Sequence, residues 1–299
     1  MTDPEFDDLI RAVRPRLHRF CARMAGSAID GEDVLQDALL KASSARSRGD
    51  QVVSFVPWLF RIAHNASLDF MRRRARQPHV PIDDNYPVEP APAPEAIAFG
   101  FRAFLRLPDL QRCTVILKDV LGHSIDEIAA IAGCSPAAAK SALQRGRQAL
   151  RRLAEHPEDH ALPPLAADEW RRIDTFVRLF RAGDFDEIRA MLADDVRLDL
   201  VNRLRLDGKD RIAPYFSRYA EAGRWHYAPG VVEDRAAMLV FDASDLNRPA
   251  HFVLVAWQGG RIAGIRDFLF APYAMESSDW GRFARIPEQT PSGRQRGGL

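Results

Sequence analysis

The segment from Leu107 to Arg152 constrains this chain more than any other, because it spells out two helices joined by a tight turn. Ser124 and Glu127 have the spacing of a capping box, which starts a short helix with Ile125, Ile128 and Ala129 on its apolar face. Gly133 permits a left-handed turn residue, and Ser135 before Pro136 supplies an N-cap and a first helical residue whose φ is already set. The run AAAKSALQRGRQALRR then turns Leu143 and Leu150 inward and Lys140, Gln144, Arg145 and Arg147 outward. Five cations and no acid lie between Lys140 and Arg152. A helical pair with a cationic second helix has the geometry that enters a DNA major groove.

A chain of 299 residues is long enough for two or three domains. Its net charge of +1 conceals strong local separation. Arg61 to Arg76 holds five arginines against one Asp, whereas Gln77 to Phe101 holds four acids and no Lys or Arg. Such patterning bears more on a nucleic-acid partner than net charge does. Cys21, Cys113 and Cys134 are far apart and form no CxxC pair, so neither a metal site nor a disulfide framework is expected, and a reducing cytoplasm suits them. No stretch is long enough for a membrane span and the N-terminus is no signal peptide, so a cytoplasmic protein is expected.

Three territories follow along the chain. The first, to about Arg76, repeats apolar residues at helical spacing: Leu9, Val13, Leu17 and Met24, then Val34, Ala38 and Leu39, then Trp58, Ile62 and Leu68. Six prolines from Pro78 to Pro94, mixed with acids, make residues 77–98 an extended acidic linker. A second helical territory, 99–154, holds the helix-turn-helix, and residues 155–167 connect it to a third, 168–280. There two amphipathic helices precede strand-like runs from Val196, Ala236, His251 and Ile265, with Gly259-Gly260 as a hairpin turn. This order describes an α+β domain. Residues 281–299 read as a disordered tail.

The runs DGEDVLQDALLKA (Asp30 to Ala42) and PWLFRIAHNASLDFMRRR (Pro57 to Arg74), followed by the helix-turn-helix, resemble an extracytoplasmic-function sigma factor of the sigma-70 class. The likeness covers about the first half of the chain, with its three motifs in the family's order. It implies two all-α sigma domains, binding core RNA polymerase and promoter DNA, with neither cofactor nor catalysis. Asp30, Glu32, Asp33, Gln36 and Asp37 would grip the polymerase core. Arg61, Asn65, Arg72, Arg73 and Arg74 would meet the nearer promoter element, and the loop from Ser43 to Ser54 would capture a flipped base. Trp58 is read as core, and Asp69 as an ion-pair partner within its domain. Lys140, Ser141, Gln144, Arg145 and Arg147 would read the farther element, and relatives often carry a basic residue at the position of Ala142. Some 22 extended residues reach roughly 70 Å. The linker can therefore bridge promoter elements about 58 Å apart, which is about 17 base pairs at ~3.4 Å each.

The last territory resembles the SnoaL-like branch of the NTF2-like fold, through GDFDEIRAMLADDVRLD, a helix over DGKDRIAPYFSRYA and the late strands. That implies a cone whose curved sheet wraps helices around a pocket with room for a small-molecule ligand. Asp199, His226, His251 and Arg266 are the candidate pocket residues, with Asp267 a further member of an acid–base set. Two readings stay open: a small-molecule enzyme fused to a degenerate sigma-like half, or a domain that controls the sigma unit by intramolecular contact. The second is favoured, with the contact made by the sheet or the segment from Tyr273 to Trp280. A dimeric repressor of the helix-turn-helix type is disfavoured, since it needs neither the acidic linker nor the arginine-rich helix.

Overall fold

The computed structural model describes residues 3–48, 54–76, 85–86, 88–90, 101–155, 165–222 and 224–283. The first unit is three helices, α1 (Asp3–Ala25), α2 (Ala28–Ser47) and α3 (Phe55–Arg74). Leu17, Phe20 and Met24 of α1 are fully buried against Leu35, Leu59 and Phe60, whereas Leu9 faces solvent. The turn into α2 uses Gly26 at φ +78°. Within α2, Gly31 lets the two helices touch: a Cβ there would lie 2.5 Å from the Ala22 backbone. Neither helix can yield cheaply, so Gly31→Ala is expected to cost about 1–3 kcal/mol by overpacking. Urea unfolding measures this directly, and an unchanged midpoint would count against so tight a crossing.

Part of the linker is built into the fold. Its residues form β1 (Asn85–Tyr86) and β2 (Val88–Pro90), while the rest of 77–98 lies outside the described residues. Next come α4 (Phe101–Leu105), α5 (Asp109–Val115) with a π-helical turn over Ile116–Val120, α6 (Ile125–Ala132) and α7 (Pro136–Glu155). The local signals act as expected. Ser124 Oγ accepts from Glu127 N–H at 3.2 Å, and the Glu127 carboxylate accepts from Ser124 N–H at 2.8 Å. Gly133 takes φ +67°, and Ser135 Oγ accepts from Ala138 N–H.

The two helical units share one apolar core in which Phe20, Phe60, Leu107, Ile116 and Leu143 are members. His123, before α6, sets its ring edge-on to Phe60 with centroids 5.0 Å apart. The buried Arg112 guanidinium of α5 donates to Met24 O at 2.8 Å and to Leu107 O at 3.0 Å, closing the end of α1. The helix-turn-helix is therefore packed onto the first unit, not held at a distance from it.

The third unit contains β3 (Leu165–Ala166), α8 (Ala167–Ala182), α9 (Phe185–Ala190), β4 (Leu192–Leu200), β5 (Leu204–Asp207), α10 (Lys209–Ala222) and β6 (Trp225–Val232). It ends with β7 (Arg235–Asp242), β8 (His251–Gln258), β9 (Arg261–Asp267), α11 (Pro272–Ser277) and β10 (Trp280–Phe283). Eight strands form one sheet in the order β2-β10-β6-β7-β8-β9-β4-β5, antiparallel except for the parallel pair β4–β9. One face buries Phe176, Phe180 and Phe216 of α8 and α10 against Met238, Val240 and Val253. The other packs Leu239, Phe252 and Phe268 with α11 and, from the first unit, Ile29 of α2.

This is the expected α+β domain behind two all-α units, with differences at its edges. β5 and β6 were not foreseen, and the last expected strand ends at Asp267. The tail expected from 281 onward begins as strand, since β10 pairs with both β6 and β2. Linker strand β1 also pairs with β3, so the described linker residues are tied to the third unit.

Candidate functional site

The third unit packs against the side of α2 that carries the candidate polymerase-binding residues, where Asp30 and Glu32 are buried and Asp33 stays exposed. Asp30, Asp33 and Gln36 recur every three residues and so share one side of the helix. Each meets an arginine from a different strand. Arg235 of β7 pairs with Asp30, Arg266 of β9 has Nη2 2.7 Å from Asp33 Oδ1, and Arg205 of β5 donates to Gln36. α2 thus lies across the sheet from β7 to β5, held by two ion pairs and a hydrogen bond to the neutral Gln36.

Glu32, on the adjoining side of α2, is fully buried. Arg14 pairs with it, and Tyr273 of α11 donates its hydroxyl to Glu32 Oε2 at 3.2 Å while accepting from Arg14 Nε at 2.8 Å. Burial raises the Glu32 carboxyl above its ordinary range, with Arg14 opposing. His18 sits behind, its Nε2 3.0 Å from Ala28 O and its ring 4.7 Å from Tyr273; burial pushes it down to about 4. Asp37 is different: it pairs with Lys41 at 3.2 Å and lies 4.0 Å from Arg73. In this conformation Asp30 and Glu32 are therefore buried, whereas Asp33 is exposed. The contact spans the chain, from residue 30 to residue 235, and no local pattern in α2 announces it.

The turn between β6 and β7 supplies a further contact that the sequence reading missed. Glu233, held at φ +60°, points its carboxylate at the start of α2. It accepts from the Ser27 hydroxyl and from Ala28 N–H at 2.6 Å. Unpaired amides and the helix dipole favour a carboxylate at that place. Burial nevertheless dominates and lifts Glu233 to about 7.

The DNA-facing candidates divide in two. On α7, Lys140, Ser141, Gln144, Arg145 and Arg147 are all exposed, and Ser141 accepts from Arg145 Nη1 at 2.7 Å. Arg147 is tied by two hydrogen bonds to Asp119. Ala142 is fully buried, so a missing cation there does not bear on DNA contact. On α3, Arg61 and Asn65 are exposed, Arg72 pairs with Asp69, and Arg74 donates to Asp30 at 2.6 Å. Asp69 also meets Lys41, in keeping with an ion-pair role. Trp58 is half-buried against the core and the Phe55 ring. Of the expected loop from Ser43 to Ser54, residues 43–47 belong to α2 and 49–53 lie outside the described residues.

The candidate pocket residues do not converge. Asp199 and Arg266 are cross-strand neighbours on the sheet face beside α2, with Arg266 Nε 3.5 Å from Asp199 Oδ2. His226 is exposed on β6. His251 lies in the opposite face, buried with Asp267, which accepts from Tyr215 at 3.0 Å, Tyr219 at 2.7 Å and Leu269 N–H at 2.9 Å. Tyr219 Oη is also 2.8 Å from His251 Nε2. Burial lifts Asp267 to about 6 and pushes His251 down to about 3. These groups satisfy one another, and all four side chains are buried, so the set is closed to substrate in this conformation. No helix among the described residues is long and apolar enough to cross a membrane.

Residues 9–77 match Sigma-70 region 2, and residues 102–150 match Sigma-70 region 4. The ECF RNA polymerase sigma factor SigM of Mycobacterium tuberculosis is 38% identical over 151 residues, which span 50% of this chain and 76% of SigM. The crystal structure of SigJ, an extracytoplasmic function sigma factor of the same organism, aligns over 87% of this chain and 95% of its own, at 19% identity and a TM-score of 0.34. An NTF2-like protein of Cytophaga hutchinsonii aligns over 33% of this chain and 96% of its own, at 15% identity and a TM-score of 0.26. With both sigma-70 regions present in order, each on its own group of helices, the chain belongs to the extracytoplasmic-function (ECF) family of RNA polymerase sigma factors.

Proposed function

We propose that the third unit is an inhibitor built into this sigma factor, which covers the polymerase-binding face of α2 and keeps the two DNA-binding units folded together. The chain directs core RNA polymerase to promoters, and this conformation is its resting form. The observation that carries the reading is the triplet of arginines from β7, β9 and β5 set against Asp30, Asp33 and Gln36. A basic helical partner would use the same acidic side of α2, so the third unit and the polymerase compete for it.

Promoter geometry supports the same reading. Elements about 58 Å apart require α3 and α7 to separate, whereas here α6 and α3 share a core through Phe60 and His123. Opening must also free the linker strands paired to β3 and β10. The test is core binding and transcription in vitro, comparing the full chain with a truncation after Leu153. The truncation is expected to bind core more tightly and to initiate several-fold more transcripts from the same promoters. Equal output from the two forms would remove the inhibitory reading.

Within the open form, Arg145 is assigned to a base edge of the farther element and Lys140 to phosphate. Arg145→Ala should cost about 1–3 kcal/mol at one base pair if its contact is bidentate. Lys140→Ala should weaken all promoters alike and reduce the salt slope by about one. Binding across a set of single-base promoter variants separates the two, and identical profiles would contradict the assignment.

A further inference from the structure

Beside the covered part of α2, the same region of the sheet opens into a cleft of about 500 Å³, within the size range of small-molecule sites. Its floor is low because cross-strand neighbours there are small: Gly264 of β9 pairs with Ala256 of β8. A register shift between Ala256 and Trp257 lets the indole join the lining, and the Arg172 guanidinium of α8 stands 6.0 Å from the indole centroid. Such irregularities re-aim side chains and recur beside binding sites.

The polar side of the cleft is cationic. Four arginines line it against three carboxylates, an excess of one positive charge. Two of those carboxylates are already bracketed: Asp199 by Arg205 and Arg266, and Asp234 by Arg102 and Arg235. Arg266 is under-satisfied. Its Nε and Nη2 are shut from solvent and make no hydrogen bond, although Asp33 and Asp199 stand close enough for ion pairing. Buried N–H groups in that condition favour an acceptor that reaches them in plane, and a carboxylate matches a guanidinium in that way.

We propose that this cleft binds a small aromatic carboxylate, with its ring against Trp257 and its carboxylate on Arg266. A monoanion with an apolar body suits a single excess charge better than a multiply charged phosphate does. Arg266 lies on the side of the sheet away from the buried Tyr215, Tyr219, His251 and Asp267 set, and Trp257 joins the cleft from the α8 side at the end of β8. Its regulatory meaning rests on the docking reading above: Arg266 also holds Asp33 of α2, so a carboxylate that takes Arg266 weakens docking, and docking weakens carboxylate binding by the same factor.

The experiment titrates the full chain with naphthalene-2-carboxylate, using naphthalene-2-carboxamide and inorganic phosphate as controls, by calorimetry and by indole fluorescence. The carboxylate should bind saturably and about tenfold more tightly than the amide, the value of one charge-assisted hydrogen bond. Phosphate should not displace it. Gly264→Val fills the floor: a Cβ at 264 meets only Ala256 Cβ at 3.5 Å and Arg197 O at 3.8 Å, so the strand accommodates it. That variant should lose the probe while keeping its melting temperature. Equal affinity for acid and amide, displacement by phosphate, or undiminished binding to Gly264→Val overturns the site. If the probe binds and Gly264→Val abolishes this, core binding should rise with probe only in the parent chain. Core binding unmoved by probe would uphold the site and overturn its coupling to docking.

Discussion

Reversing Arg235 and Arg266 to Glu in the full chain raises its apparent affinity for core RNA polymerase by about tenfold to a hundredfold. Each new carboxylate faces Asp30 or Asp33 across the docked interface, so two attractions become two repulsions. Removing one partner from a desolvated interfacial pair costs roughly 2–5 kcal/mol. Arg235 and Asp33 are partly exposed, so screening trims that to about 1.5–3 kcal/mol for both sites together. The apparent affinity follows the open fraction and stops rising once that fraction nears one. Fluorescence anisotropy of labelled core gives the number. The opposite reversal, Asp33→Lys with Asp37→Lys, should abolish core binding although it also breaks the contact to Arg266, because those acids are the proposed polymerase contacts. Identical behaviour of the two double variants, each with normal circular dichroism, would defeat the assignment of α2.

Raising the pH from about 6.5 to 8 opens the full chain, and Glu233 is the main cause. Docking lifts its carboxyl from the ordinary 4.5 to about 7 by burial. The docked form therefore holds the proton more tightly than the open form. Glu233 supports docking fully below its ordinary value, and that support is lost as pH rises through about 7. A shift of that size is worth roughly 3 kcal/mol over the whole range, of which a little under about 1 kcal/mol falls between pH 6.5 and 8. Among the charged groups nearby, Arg235 favours the ionised form and Asp30 opposes it. Glu32, also raised by burial, acts in the same direction as Glu233. His18 acts in the other direction, but its effect fades above its ordinary 6.5, where the ring is neutral in both forms. The radius of gyration by small-angle scattering should grow with pH in the parent chain and stay flat in Glu233→Gln. That variant keeps an acceptor for Ala28 N–H and a donor for Ser27. An equal response in both would exclude Glu233 as the cause.

The parts of this molecule that were legible in its sequence are those decided locally. Ser124, Glu127, Gly133, Ser135 and Pro136 each act within a few residues, and the helix-turn-helix followed from them. The two faces of the sheet were harder. His251 and Arg266 belong to adjacent antiparallel strands, and period-2 alternation sends them to opposite faces. Which face each takes depends on register, which a single strand does not encode. β6 was hidden by Pro229 and Gly230, and β2 and β10 lie in segments whose composition reads as linker and tail. The candidate polymerase residues were legible as an acidic run, but their cover was not, because Arg235, Arg266 and Tyr273 come from more than 200 residues downstream. Long-range charge matching leaves no periodic trace in either partner.

The position of the covering unit has a consequence for the timing of synthesis. A ribosome completes α2, α3 and the helix-turn-helix by Glu155, but the sheet is not closed until β10 ends at Phe283. At roughly 5–20 residues per second, the intervening 128 residues (283 − 155) take on the order of ten seconds. During that interval the nascent chain carries α2 without the sheet that packs on it, so the proposed polymerase contact is open before the proposed inhibitor exists. On the proposed inhibitory reading, each newly made molecule begins competent and becomes silent, which makes the rate of translation an input to the amount of active sigma factor.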